Sequence, residues 1–197
     1  KIQNGVVTNM ITYKLKNDSE TYKVIVKSSY ELSKELGVGV RSLQSRMVSD
    51  EPISDIWTVI QVIPEKQFPT ADTLPDISVW GYGWLVLSKS AKEKLSSYLK
   101  SSGEFLPIIV DGNEMFIFRC TTWGEENDSE CIFHYVDGEV DGLEYLSFDQ
   151  TDIDKKLLFK SKLEGGMSVY CTSTFKGLCR ELKLSGLRYD EDLISPF

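Results

Sequence analysis

From Cys120 to Asp154 the chain carries eleven carboxylates and not one Lys or Arg. Acids and bases nearly balance elsewhere, with fourteen of each before this stretch and five acids against eight bases after it. The stretch, which we call the acidic segment, therefore carries the entire acidic excess behind the formal net charge of -8. Because closely spaced like charges repel, the fold must present these carboxylates to water or to a basic partner.

The acidic segment has two interpretations. It is either a solvated face that keeps the protein in solution or a docking surface for a cationic protein. Under the second interpretation Trp123 is the candidate anchor, because Trp is enriched among the residues that dominate interfaces. The full set of candidate contact residues is Trp123, Glu125, Glu126, Asp128, Glu130, His134, Tyr135, Asp137, Glu139, Asp141 and Glu144.

Composition argues against nucleic acid or a membrane as the partner. Phosphate binding needs clustered Lys and Arg, and only Lys155-Lys156 and Lys160 with Lys162 lie close together. The longest apolar runs, such as Phe105–Val110, are far shorter than the roughly 18 residues that span a bilayer. We expect a soluble cytoplasmic protein, or a periplasmic one if a leader has been removed, since the sequence does not begin with Met.

The pattern of apolar residues predicts an α+β fold with mostly antiparallel strands. Two principal helices are expected, at about 88–101 and 172–183, since each begins at Ser or Thr and continues with apolar residues at helical spacing. Two hairpins are expected around Asp111-Gly112-Asn113 and Asp137-Gly138, which have the composition of tight turns. These elements place an α+β core in residues 76–197.

Residues 1–75 are predicted to be a variable, β-rich part that either stands apart or joins the core in one compact unit. Val6–Leu15 and Thr21–Lys27 are rich in β-branched and aromatic residues and suggest an opening hairpin. Ser28–Leu36 is a short helix candidate that ends at Gly37, and residues 64–75 suggest a linker or a long surface crossing. The four cysteines are expected to be reduced, or to include a disulfide if the protein is exported.

No residue pattern marks a catalytic or cofactor site. The single histidine, His134, has no recognisable nucleophile partner, and no G-x-S-x-G turn is present. Residues 137–142 imitate the start of a calcium loop, but its twelfth position is Phe148 instead of a carboxylate. We therefore expect no catalytic, cofactor-binding or metal-binding residues.

A succession of short motifs fills the stretch from Ile77 to Tyr189. It contains two helices, an acidic turn and several strand-like segments in a fixed order. The motifs are Leu85-Val-Leu-Ser88, the helix Lys89–Leu99, Gly103-Glu-Phe-Leu-Pro107, Asp128-Ser129-Glu130, Val169-Tyr170, the helix Ser173–Leu182 and Gly186-Leu-Arg-Tyr189. In order and spacing this succession resembles an immunity-protein family of bacterial polymorphic toxin systems, long catalogued as a domain of unknown function.

The resemblance implies a small protein, without catalytic chemistry or cofactor, that binds and neutralises a toxin made beside it. The expected partner is that cognate toxin, with a basic surface that complements the acidic segment. A second hypothesis is a non-inhibitory adaptor or chaperone for a secreted effector, and a third is an uncharacterised enzyme.

Overall fold

The structure is a computed structural model that describes residues 10–196. Within that range eleven strands alternate irregularly with five helices. The strands are β1 (Thr12–Asn17), β2 (Ile60–Val62), β3 (Ile77–Gly81), β4 (Trp84–Ser88), β5 (Gly103–Val110), β6 (Asn113–Cys120), β7 (Ile132–Val136), β8 (Glu139–Tyr145), β9 (Leu158–Phe159), β10 (Tyr170–Thr172) and β11 (Leu187–Asp190). The helices are α1 (Ser29–Leu36), α2 (Val40–Val48), α3 (Lys89–Leu99), α4 (Gln150–Ile153) and α5 (Ser173–Glu181).

The predicted α+β class is confirmed, and the strands pair mostly antiparallel. Three sheets form, with strand orders β2-β5-β6-β4-β3, β11-β1-β10-β9 and β7-β8. In the described range β2 with β5 is the parallel pair between named strands. No helix within residues 10–196 is long and apolar enough to cross a membrane.

Strand β4 separates two hydrophobic cores because its side chains alternate between the two faces of the five-stranded sheet. Leu85 and Leu87 enter one core, together with α3, α5 and the four-stranded sheet. Trp84 and Val86 enter the other, which α1, α2 and the loop around Ile53 cover. Because both faces of β4 are covered, its sequence is a continuous run of apolar residues and does not alternate between apolar and polar residues.

The opening hairpin predicted for the N-terminal part is wrong. Strand β1 pairs instead with β10 and β11, so Thr12 lies opposite Thr172 and Lys14 opposite Asp190. Segment 21–27 forms only isolated bridges, to Glu65 and Thr73 of the predicted linker. The burial of Tyr13 and Leu15 in the first core favours the distant partners over a local hairpin. Residues 6–9 of the predicted strand lie outside the described range.

The N-terminal part supplies two helices as well as strands. The predicted helix α1 is confirmed, with Ser28 and Glu31 forming a reciprocal capping box and Gly37 ending the helix at φ 67°. Helix α2 is not among the predicted elements, and it begins only three residues after Gly37 ends α1. Its Leu43 and Met47, four residues apart and both buried, are the helical signal.

Helix α5 packs its apolar face onto the first core, but less completely than its spacing predicts. Phe175 and Cys179 are buried, whereas Leu178 and Leu182 are only partly buried. The helix therefore lies at the margin of the core with one edge open to solvent.

We expect Phe175→Ala to lower the free energy of unfolding by about 3–5 kcal/mol, because it leaves a cavity inside the first core. Leu178→Ala should cost less than about 2 kcal/mol, because solvent already reaches this side chain. Urea unfolding of both variants measures the difference. Equal losses would show that Leu178 is as enclosed as Phe175.

Candidate functional site

The acidic segment projects a two-stranded hairpin, β7–β8, that no third strand of residues 10–196 joins. The predicted turn at Asp137-Gly138 is confirmed, with φ of 52° and 85°. Both values are left-handed, as a type I′ hairpin turn requires, and Asp-Gly is a favoured pair for it. The register shifts twice, between Ile132 and Phe133 and between His134 and Tyr135. Bulges of this kind increase twist and aim extra side chains outward.

Large apolar side chains on this hairpin are exposed to an unusual extent. Tyr135 is 59% exposed and Val140, directly opposite it, is 57% exposed. Two-stranded hairpins are marginally stable in water, and exposed apolar patches mark interaction surfaces. The exposed apolar set is Ile132, Tyr135, Val136, Val140 and Tyr145.

Most carboxylates near the hairpin are exposed and form no ion pair with Lys or Arg among the described residues. Asp141 is the one beside the histidine, with its Oδ2 lying 3.5 Å from Nδ1 of His134. Glu130 is exposed but accepts a hydrogen bond from Ser147 Oγ. The other exposed carboxylates of the acidic segment without a Lys or Arg partner among the described residues are Glu125, Asp128, Asp137, Glu139, Asp141, Glu144 and Asp154. Apart from Asp154, these carboxylates and the apolar side chains form the surface that we call the acidic hairpin, residues 125–145.

Two of the predicted contact residues bind within the protein itself. Glu126 Oε1 accepts hydrogen bonds from Ser161 Oγ and from the backbone N–H of Lys162, both at 2.7 Å. Glu130 accepts a hydrogen bond from Ser147 Oγ at 2.6 Å. These carboxylates hold the base of the hairpin against the body, which leaves the exposed set above as the better candidates for partner contact.

Farther along the acidic segment, Asp149 caps helix α4. It accepts hydrogen bonds from the hydroxyl and the backbone N–H of Thr151, both at 2.7 Å, and these bonds hold its pKa below the usual range. Asp152 accepts from the backbone N–H of Glu125 and pairs with Lys156. Some carboxylates of the acidic segment are therefore exposed on the surface, and others form hydrogen bonds or ion pairs within the protein.

Trp123, predicted as an interface anchor, contacts other residues of the protein itself. Its indole N–H donates to Asp50 at 2.5 Å, and the Lys160 ammonium lies 4.0 Å from its ring centroid. A Cβ on Gly166 would lie 2.9 Å from the ring, so packing around the indole is tight. A sequence cannot show these contacts, because the three partners come from distant parts of the chain.

Beneath Trp123, two buried cations bind the C-terminal end of α2. Arg119 Nη2 donates to the carbonyls of Arg46 and Ser49, while its Nη1 donates to Glu104 at 3.0 Å. Lys160 Nζ donates to the carbonyl of Val48 at 2.9 Å. Cations are favoured at this end because its carbonyls lack partners within the helix.

An indole completes this arrangement, since Trp84 Nε1 donates to the carbonyl of Met47 at 3.0 Å. The four carbonyls from residue 46 to residue 49 thus all accept from side chains of β4, β6 and the segment after β9. We call Trp84, Arg119 and Lys160 the carbonyl clamp. Burial lowers the pKa of both the Arg119 and the Lys160 side chains. Arg119 lies near the end of β6 and Lys160 directly follows β9, so each comes after apolar residues of a strand. This position is the one sequence signal for their burial.

We expect Arg119→Met to lower the free energy of unfolding by about 3–5 kcal/mol, because it removes the charged partner of Glu104 and a donor to the carbonyls of Arg46 and Ser49. Arg119→Lys should recover little, since one ammonium cannot reproduce the forked geometry. Thermal and urea unfolding measure the change. The matched control is Arg180→Met on the exposed side of α5, which should stay within about 0.5 kcal/mol.

Three of the four free thiols are buried. Burial raises the pKa of Cys120 to about 11 and that of Cys179 to about 11, from an ordinary value of 9.0. Raised values keep these thiols protonated in the core and leave them poor nucleophiles at neutral pH. Within residues 10–196, no three His, Cys, Asp or Glu side chains are grouped as metal ligands.

The buried thiols predict a loss of stability at alkaline pH. An unfolded thiol ionises near pH 9 while the folded one stays protonated, so the unfolded chain releases protons first. The stability that the buried thiols contribute is fully present below about pH 8 and is lost as pH rises from about 9 towards 11. Lys160 acts in the opposite direction, because its folded pKa is lowered.

Cys120→Ala should therefore flatten the fall in the free energy of unfolding between about pH 8.5 and 10.5. Urea unfolding at a series of pH values measures the slope. Cys131→Ala, at the half-buried thiol, is the control and should keep the slope of the parent chain. An unchanged slope for Cys120→Ala would assign the alkaline loss to other groups.

No protein-family model matches the chain, and no curated protein matches its sequence. The features that bear on function are therefore the geometry and charge of the acidic hairpin, together with the motif resemblance in residues 77–189.

Proposed function

We propose that the chain is an immunity protein that binds a cationic toxin through its acidic hairpin and neutralises it stoichiometrically. The observation that carries this proposal is the exposure of apolar and acidic side chains on one projecting hairpin. Apolar side chains such as Tyr135 and Val140 supply area to bury, and the surrounding carboxylates supply a charge that only a basic partner complements. The resemblance to an immunity-protein family supports the same conclusion.

The charge of the hairpin favours a basic partner over a second copy of the chain. Two acidic hairpins brought together would place like charges face to face, and such juxtaposition costs several kcal/mol. A basic surface would instead be attracted at long range, which raises the association rate. Within residues 10–196 no strand pairs with the two outer edges of the hairpin, and their backbone groups can bind a partner strand.

The two kinds of side chain should act on different rate constants. Carboxylates at the rim act mainly on association, and their effect weakens as salt increases. Apolar side chains in the centre act mainly on dissociation, because their buried area exists only in the complex. This separation can be measured.

The experiment expresses the protein encoded by the adjacent open reading frame with and without this chain. Rescue of growth and co-purification of a one-to-one complex support the proposal. A complex that leaves the partner toxic would favour the adaptor or chaperone function. Failure to bind would overturn both.

We expect lysine substitutions at Asp128, Glu139 and Asp141 together to slow association by about 10- to 100-fold at low salt. Asp137 is left unchanged, because its φ of 52° suits Asp better than Lys. Tyr135→Ala should instead speed dissociation. Surface plasmon resonance at 50 and 500 mM salt separates the two effects.

The control places lysines at Glu20, Glu93 and Glu181, which are exposed and lie outside the acidic segment. It changes the net charge equally but should leave the association rate close to that of the parent chain. Equal slowing by both triple variants would show that net charge, and not the hairpin, governs association.

A further inference from the structure

A groove of about 600 Å³ runs along the base of the acidic hairpin. One wall is formed by the end of β8 and the residues that follow it, at Glu144 and Tyr145. The other is formed by the start of β1, at Ile11 and Thr12, and by residues 191–194 after β11. The groove therefore brings together three segments that are far apart in the sequence, and it touches β8 without touching β7.

The groove combines an apolar lining with an uncompensated acidic rim. Leu146 and Phe148 belong to the third hydrophobic cluster, and Leu193 and Ile194 pack against that cluster. Three carboxylates and no Lys, Arg or His line the groove. In the described part of the chain no ion pair engages these carboxylates, which are Glu144, Glu191 and Asp192.

The backbone on both walls is open to an added strand. β7 occupies one edge of β8, and the other edge has no strand partner within residues 10–196. On the opposite wall the pairing of β11 with β1 ends at Lys14, so no strand within residues 10–196 pairs with that side of β1 at Thr12. An extended peptide that enters the groove can use these backbone groups while its side chains reach the lining.

We propose that this groove binds an extended segment of the partner protein in which Lys or Arg alternates with apolar residues. Alternation follows from strand geometry, since successive side chains point to opposite faces. Basic side chains would meet the rim carboxylates, and apolar ones would cover the half-exposed Ile11 and Tyr145. The identity of the partner as a toxin rests on the proposed function, but the chemistry of the groove does not.

A fluorescein-labelled octapeptide of alternating Lys and Val, added to the full chain, tests the groove by fluorescence anisotropy. Binding should exceed that of the matching Ser-Val peptide and should weaken as salt rises. The double variant Glu144→Gln, Glu191→Gln should bind about 2- to 30-fold more weakly, as expected for losing two partly exposed ion pairs. Ile11→Lys, which introduces a cation into the groove, should abolish binding.

The matched control is the double variant Glu93→Gln, Glu181→Gln, which removes the same charge from exposed positions that lie outside the acidic segment and do not line the groove. It should bind the peptide as the parent chain does. Equal weakening by both double variants, or no preference for the Lys-Val peptide, would overturn the groove. Neither result bears on whether the hairpin binds and neutralises the adjacent gene product. The two proposals can therefore fail separately.

Discussion

The carbonyl clamp is the interaction on which the rest of the structure depends. Helix α2 ends beneath the five-stranded sheet, where its last carbonyls are shielded from water and need donors. Arg119 supplies two of these hydrogen bonds and Lys160 supplies one, so a strand from the middle of the chain and a segment near its end meet at one helix terminus. Two buried cations are costly to desolvate. Arg119 is compensated by three acceptors, and Lys160 by the Val48 carbonyl, the Trp123 ring and the Asp50 carboxylate 3.9 Å away.

The clamp also explains why the acidic segment starts where it does. Trp123 covers Lys160 from outside and binds Asp50, so the first residues of the segment close the clamp. Most carboxylates after Trp123 are exposed to solvent. The exceptions, such as Glu126, form hydrogen bonds within the protein at the base of the hairpin. Some carboxylates of the acidic segment thus stabilise the fold through internal hydrogen bonds, and the others form the exposed acidic surface.

Local chemistry made the two tight hairpins and helices α1, α3 and α5 predictable. Asp-Gly turns, the Ser caps of α1 and α3 and the apolar spacing of α5 act over a few residues, and their effect does not depend on distant parts of the chain. The partners of β1 were not predictable, because Thr12 meets Thr172 only once the first core has formed. The same reason hid the role of Trp123 and the groove, each of which is assembled from segments far apart in sequence.

Strand β1 lies in the interior of its sheet, between two strands made from the last thirty residues of the chain. Closing such a long loop is entropically slow, and contacts of this sequence separation delay folding. During synthesis on the ribosome, β1 must therefore stay unpaired with these strands until β10 and β11 have emerged. The four-stranded sheet can therefore form only after its last strands, β10 and β11, have been synthesised.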